Sequence, residues 1–231
     1  MSSLLTKVLN RPDIWQGVQK SKKAPIISTG YYELDEKLHY SGWPQNLLTE
    51  ILYQQKHIGE VQLVLPAVAQ SMKNGGFLFL VDPPFMPYAP AWLKAGINLK
   101  KIRIIKNRQS KESLWAAEQI MATQGVSSCL FWIQDNYLSN KLLKRLQIAA
   151  KKASLLNFIF RNNQAAMQIS PASLRLVIKP IRMIQPTVRQ VGVEILKQPG
   201  GWNGQKIDLT INHSSYNANN NYESSNVVAL A

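Results

Sequence analysis

Short apolar runs alternate with amphipathic stretches from Ile26 to Phe160, and their spacing predicts the elements. Ile26 and Ile27 open the folded part, and Thr49 to Tyr53 reads as a strand after a turn marked by Gly42 and Pro44. Val61, Val64, Leu65, Val68 and Met72 recur at spacings of three and four, which predicts a helix over Gly59 to Met72 with a kink at Pro66. Asn74 and Gly75-Gly76 end it. Phe77 to Val81 is continuously apolar, as a strand covered on both faces of a parallel sheet must be. A loop with Pro83, Pro84, Pro87 and Pro90 leads to a short helix stopped at Gly96, then to a strand over Ile102 to Ile105. A helix over Ser113 to Thr123, a strand over Val126 to Ile133, a helix over Leu138 to Ala153 and a strand over Leu155 to Phe160 complete the alternation. This order predicts a wound, largely parallel α/β sheet with helices on both faces.

Past Pro171 the pattern changes. Leu174 to Ile178, Gly192 to Leu196 and Lys206 to Ile211 read as shorter strands. The turn Gly200-Gly201-Trp202-Asn203-Gly204 predicts that the last two pair as a C-terminal β-hairpin extension. Three parts follow: a basic arm over 1–24, one domain over 25–211 with its C-terminal strands from about 172, and an Asn/Ser-rich tail over 212–231 expected to be disordered. In the arm, Leu4, Leu5, Val8 and Leu9 can line one face of a short helix.

Charge adds the main clue about partners. The chain of 231 residues carries a formal charge of +14. Lys100, Lys101, Arg103, Lys106, Arg108 and Lys111 come without an acid among them. After Asp135 there are 12 Lys or Arg against Glu194, Asp208 and Glu223. Such an excess points to nucleic acid or another acidic partner, although solubility alone also favours net charge. Lys141, Lys144, Arg145 and Lys152 fall on one face of the predicted helix over Leu138 to Ala153, opposite its apolar face. Arg161 and Arg175 follow predicted strands, where phosphate or acidic-partner contact competes with an ordinary solvated charge. Trp43, Trp92, Trp115 and Trp132 lie in apolar settings and read as core. Trp202, in a glycine-rich turn, is placed to stack on a base or a partner. The run Gln62-Leu63-Val64-Leu65-Pro66 resembles sliding-clamp-binding peptides but sits on a predicted core helix, which favours the core role.

The lone Cys129 lies in an apolar run and reads as a buried hydrophobe, consistent with a reducing cytoplasm. His39, His57 and His213 are too scattered to predict a metal site. No apolar run is long enough to cross a membrane, and Met1 to Asn10 lacks a signal-peptide pattern, so a cytoplasmic location is expected.

Ile27-Ser28-Thr29-Gly30, Leu34-Asp35, Leu38, Gly42-Trp43-Pro44 and Leu48-Thr49-Glu50-Ile51 resemble the opening of the RecA ATPase core. There a strand leads into a phosphate-binding loop, whose glycine N–H groups cradle phosphates while a Lys neutralises them and a Ser or Thr holds magnesium. The corresponding stretch here runs Tyr53-Gln54-Gln55-Lys56-His57-Ile58-Gly59-Glu60-Val61. Only Gly59 matches; Glu60 stands in place of the Lys and Val61 in place of the hydroxyl. A carboxylate aimed at a phosphate from about 4 Å costs about 4 kcal/mol at an effective dielectric of about 20, and Lys56 offsets part of that at most. The fourth strand ends Leu130-Phe131-Trp132-Ile133-Gln134, with Asp135 just beyond, where the RecA core carries an acid for magnesium. Pro83-Pro84-Phe85 stands where that core carries a catalytic Glu. The resemblance therefore implies a RecA-like fold with a degenerate P-loop, no cofactor and no ATPase activity.

Gly42-Trp43-Pro44, Gly59-Glu60, Asp82-Pro83-Pro84, Tyr88-Ala89-Pro90-Ala91-Trp92, Trp115-Ala116-Ala117-Glu118, Arg145-Leu146-Gln147 and Ser170-Pro171-Ala172-Ser173-Leu174-Arg175-Leu176 look like the ImuA family. That resemblance implies an accessory role in SOS-induced translesion synthesis beside ImuB and an error-prone replicative polymerase, with RecA and DNA as further partners. The same superfamily includes SulA, a division inhibitor that binds FtsZ. SulA proteins are shorter, and this chain keeps the long N-terminal arm and C-terminal extension more typical of ImuA.

Overall fold

The computed structural model describes residues 25–55, 58–106, 110–133, 138–185, 188–212 and 229–230. The N-terminal arm, Lys56, His57, Arg108, Asp135 and residues 213–228 lie outside that set. The strands are β1 (Ile26–Ile27), β2 (Trp43–Pro44), β3 (Leu48–Tyr53), β4 (Phe77–Val81), β5 (Ile102–Ile105), β6 (Val126–Trp132), β7 (Leu156–Asn162), β8 (Leu174–Gln185), β9 (Val188–Lys197), β10 (Gln205–Asn212) and β11 (Ala229–Leu230). The helices are α1 (Tyr32–Lys37), α2 (Leu65–Met72), α3 (Ala89–Lys94), α4 (Ser110–Ala122) and α5 (Asn140–Lys152). β1 and β2 form a small antiparallel pair, and the other strands form one sheet in the order β10-β9-β8-β3-β7-β6-β4-β5-β11.

The inner strands β8, β3, β7, β6, β4 and β5 run parallel. Within the core they are mainly apolar on both faces, because helices cover both, and β3 has no exposed residue. Ile51, Leu80, Phe158 and Leu176 belong to the larger core, with α2 and α3 packed on that face. Leu48, Cys129, Phe131 and Ile159 face the other way, under α4 and α5. In α5, Leu143, Leu146, Gln147 and Ala150 are buried at helical spacing, and Ser139 caps the helix by accepting from the Leu142 N–H. The Gln147 side-chain oxygen accepts the Leu48 N–H at 3.3 Å, tying the helix to β3 inside the sheet. Burial pushes the Cys129 thiol well above its usual range, which suits a core residue.

Several expectations are corrected. The helix expected over Gly59 to Met72 begins only at Leu65, because Pro66 belongs to its first turn, where its missing N–H costs nothing. Residues 61–64 are turn, and the buried Leu63, Val64 and Leu65 make the clamp-peptide look-alike part of the core. Trp43, Trp92 and Trp132 are buried as expected, whereas Trp115 is 62% exposed. It projects from the outer side of α4, whose inner side is filled by Leu114, Ala117 and Met121. β8 runs to Gln185, well past the expected Ile178, because β9 pairs with it antiparallel along the added length. The predicted β9–β10 hairpin forms. Within the tail, Ala229–Leu230 pair parallel with Ile104–Ile105, using the open edge of β5. Among the described residues no helix is long and apolar enough to cross a membrane.

Tyr31 lies just before α1 and donates its phenol to the Gln62 carbonyl at 3.3 Å. Burial pushes this phenol up to about 12. The neutral form is therefore favoured in the fold, so its stabilising contribution is full below about pH 10 and is lost as pH rises through about 12. Two units correspond to about 2.7 kcal/mol. Urea melts at pH 9 and 11.5 should show Tyr31→Phe losing about 2 kcal/mol less than the parent chain across that interval. Parallel losses in both proteins would contradict this.

Candidate functional site

The residues that resemble the opening of the RecA core form a hydrogen-bonded turn. Asp35 accepts from the Ser28 hydroxyl at 2.6 Å and the Thr29 N–H at 2.9 Å. Ser28 in turn accepts from the Gly30 N–H at 3.1 Å, and the Thr29 hydroxyl accepts from Tyr31 N–H at 3.1 Å. Gly30 has φ +86°, and a β-carbon there would lie 2.5 Å from the Pro66 ring. This part of the motif thus locks the first turn of α1 onto the start of α2.

The loop after β3 occupies the carboxyl edge of the sheet, where α/β folds place ligands. Gly59 has φ +109°, a region open to glycine, and its N–H donates to the Glu60 carboxylate at 3.2 Å. Glu60 is only 5% exposed, so the carboxylate turns inward onto the loop's own backbone rather than outward to a ligand. Val61 packs against the larger core, and Ile58 is buried within it. A β-carbon on Gly59 would meet Ile211 at 3.2 Å and Val191 at 3.6 Å, so the C-terminal strands press directly on the loop. Trp132, the last residue of β6, and Phe160 of β7 stack with ring centroids 4.7 Å apart. Among the described loop residues 54–55 and 58–64 there is no Lys, Ser or Thr. Lys56 lies outside the described residues. Asp82, at the carboxyl end of β4, accepts from the Ser113 hydroxyl of α4. Among the described residues no cluster of His, Cys, Asp or Glu can hold a metal ion.

A second polar centre lies on the opposite face of β3. Glu50 is fully buried and accepts from Arg161 Nη1 at 3.0 Å, Arg175 Nε at 2.6 Å and the Ser170 hydroxyl at 2.7 Å. Arg161 also reaches the Gln168 side chain, and Arg175 reaches the Gln168 and Ala165 carbonyls. The expectation of Arg161 and Arg175 as phosphate or partner contacts is corrected: they are 1% and 6% exposed. Their guanidiniums neutralise Glu50 and hold the 163–173 crossover against the sheet. Lys197 adds a bond to the Ser170 carbonyl at 3.0 Å. Burial, then the neighbouring Arg175, lowers its ammonium below the ordinary lysine value, and Glu50 opposes that shift.

No protein-family model matches the chain. It is 30% identical to the RecA protein of Desulfotalea psychrophila over 110 residues, 48% of this chain and 31% of that one. With the RecA protein of Borrelia hermsii it shares 32% identity over 101 residues, 43% of this chain and 28% of that protein. The likeness to RecA of Borrelia turicatae runs longer, 26% over 230 residues, covering 80% of this chain and 62% of that one. The chain therefore spans less than a third of the length of the first two relatives. This chain is RecA-like.

Three exposed features of the RecA-like core stand apart from one another. Lys141, Lys144, Arg145 and Lys152 are exposed along α5, together with Lys151, and Arg145 bridges to Glu118 of α4 at 2.7 Å. Trp202 is 84% exposed in the β9–β10 turn, whose backbone is held to the end of α1 by Gln198. The structure does not bring Trp202 and the α5 lysines together; they stand on separate elements.

The third feature escaped sequence reasoning. Tyr53, the last residue of β3, pairs with Ile178, so Lys179 to Gln185 of β8 overhang the carboxyl edge with β9 beside them. This ribbon exposes Ile181, Arg182, Met183 and Ile184. With Gln55 and Ile58 it borders a groove of about 240 Å³ beside the Gly59 loop. Its signal was the mixed apolar and basic run Lys179-Pro180-Ile181-Arg182-Met183-Ile184, too rich in isoleucine and methionine to read as a loop.

Proposed function

We propose that this RecA-like chain acts in DNA repair as a non-catalytic accessory protein of SOS-induced translesion synthesis. It works by binding ImuB, the error-prone polymerase, RecA or DNA, as its ImuA-like motifs imply. The observation that carries this reading is the inward carboxylate of Glu60 on the Gly59 N–H. In a phosphate-binding loop that N–H and its neighbours face the nucleotide and a Lys supplies the positive charge. Here a buried negative charge occupies the backbone donor, and Val61 supplies hydrocarbon where magnesium needs a hydroxyl. Such a loop is a degenerate P-loop, shaped for packing rather than turnover. The basic surface supports an acidic partner.

Two measurements test the reading. In a thermal melt, millimolar Mg·ATP should leave the midpoint unchanged, whereas a nucleotide at about 100 times its dissociation constant would add about 2.7 kcal/mol. In the source organism, deletion of the gene should lower damage-induced mutagenesis. Normal mutagenesis in the deletion strain, together with filamentation on overproduction, would replace this reading with a division inhibitor that binds FtsZ.

A further inference from the structure

The outer surfaces of α4 and α5 form a groove of about 540 Å³ lined by Glu118, Met121, Ala122, Arg145, Ile148 and Ala149, with Lys152 at one end. Ile148 is 48% exposed, between Lys144 and Lys152 at helical spacing. Trp115 stands on α4 one turn before Glu118, on the same side of the helix. The two helices thus leave a trough with an apolar floor and two large apolar side chains held up to water. Neither side chain contributes to the core beneath, which is filled by Leu114, Ala117, Leu143 and Leu146.

The rim is one-signed. Lys141, Lys144, Lys151 and Lys152 are exposed and make no ion pair among the described residues. Glu118 is the only acid lining the groove, and Arg145 already holds it. The occupant must therefore bring carboxylates to the rim and hydrocarbon to the floor. The chain's own arm has Lys7, Arg11, Lys20, Lys22 and Lys23 against Asp13, the wrong sign for this rim. A second copy, at +14, has the wrong sign too. A nucleic-acid backbone satisfies the lysines but leaves Trp115 and Ile148 without hydrocarbon contact.

We infer that the α4–α5 groove is a docking site for an acidic amphipathic helix of a protein partner. Two or three large apolar anchors at helical spacing seat beside Trp115 and Ile148, while flanking carboxylates meet Lys144, Lys151 and Lys152. This deepens the binding role proposed above and rests on that reading only in treating the chain as a binder.

The test is selection of a displayed library of random 16-residue peptides on the full chain, with no reference to mutagenesis. Failure here is therefore distinguishable from failure of the translesion role. Enriched peptides should carry net negative charge and apolar residues at i, i+3 or i+4, and i+7. Trp115→Ala and Ile148→Ser, both at exposed positions, should each weaken the best synthetic peptide at least tenfold by fluorescence anisotropy. Lys144→Glu combined with Lys151→Glu should weaken it further and flatten its salt dependence, because the attraction that salt screens is removed. A 20-base-pair duplex should not compete. Enrichment without net acidity, tenfold variants that leave binding unchanged, or displacement of the peptide by the duplex would each overturn the inference. Stronger peptide binding after removal of residues 1–24 would overturn it in favour of the arm as occupant.

Discussion

Replacing Glu50 with Ala should cost about 3–5 kcal/mol of folding stability, read as a large fall in the urea midpoint. The residue is fully buried between two guanidiniums, with Arg161 at 3.0 Å and Arg175 at 2.6 Å. Removing the carboxylate leaves two cations in the interior with no counter-charge, and the Ser170 hydroxyl loses its acceptor. Transfer of unpaired charge into a low-dielectric interior is far more expensive than exchanging the whole cluster for hydrocarbon. The triple variant Glu50→Leu, Arg161→Met, Arg175→Met should therefore recover most of the loss. Arg161→Ala alone should cost less than Glu50→Ala, because Arg175 and Ser170 still satisfy the carboxylate. A Glu50→Ala protein as stable as the parent would show that the cluster contributes nothing to the fold. These substitutions separate a folding role from a binding one, since neither guanidinium reaches the surface.

Gly30→Ala should destabilise the chain by about 3 kcal/mol, combining about 1–2 kcal/mol of backbone strain at positive φ with a steric conflict of similar size. The new methyl would fall 2.5 Å from a Pro66 ring carbon, and a proline ring cannot swing aside as a flexible side chain can. Relief requires α2 to shift from α1, which disturbs Leu65 and Val68 in the larger core. For a chain of this length each kcal/mol lowers the melting temperature by about 2–4 °C, so a fall of about 6–12 °C is expected. A change of less than 2 °C would mean that the Ser28-Thr29-Gly30 turn is not the rigid anchor described above.

These two residues illustrate how much was legible in advance. Gly30 was quoted within the RecA-like motif with no conformation attached. What it touches, Pro66, is distant in sequence and became visible only in three dimensions. Glu50 was quoted in the same motif with no role attached. A carboxylate in the apolar strand Leu48–Tyr53 signals a buried partner, but its partners lie in β7 and β8. Reading Arg161 and Arg175 as surface contacts followed from their charge and their place beside the ends of predicted strands. The sheet order sets β3 between their two strands, so both guanidiniums converge on one carboxylate. Trp115 erred in the other direction. Its apolar neighbours suggested core, but helical spacing turns Leu114 and Ala117 inward and leaves Trp115 facing out.

The apolar runs and their helical or strand spacing were enough by themselves to specify a wound α/β domain, because burial on two faces imposes a period that only neighbouring residues need satisfy. The same local reading set Glu60 and Val61, in the loop after β3, against the Lys and hydroxyl that the resemblance to a phosphate-binding loop calls for. The tertiary structure alone decided which charges are neutralised inside, how far the β8–β9 ribbon overhangs the edge, and which helix faces stay open to a partner. Those outcomes depend on desolvation by residues far apart in the chain, and no window of sequence contains both the charge and what surrounds it.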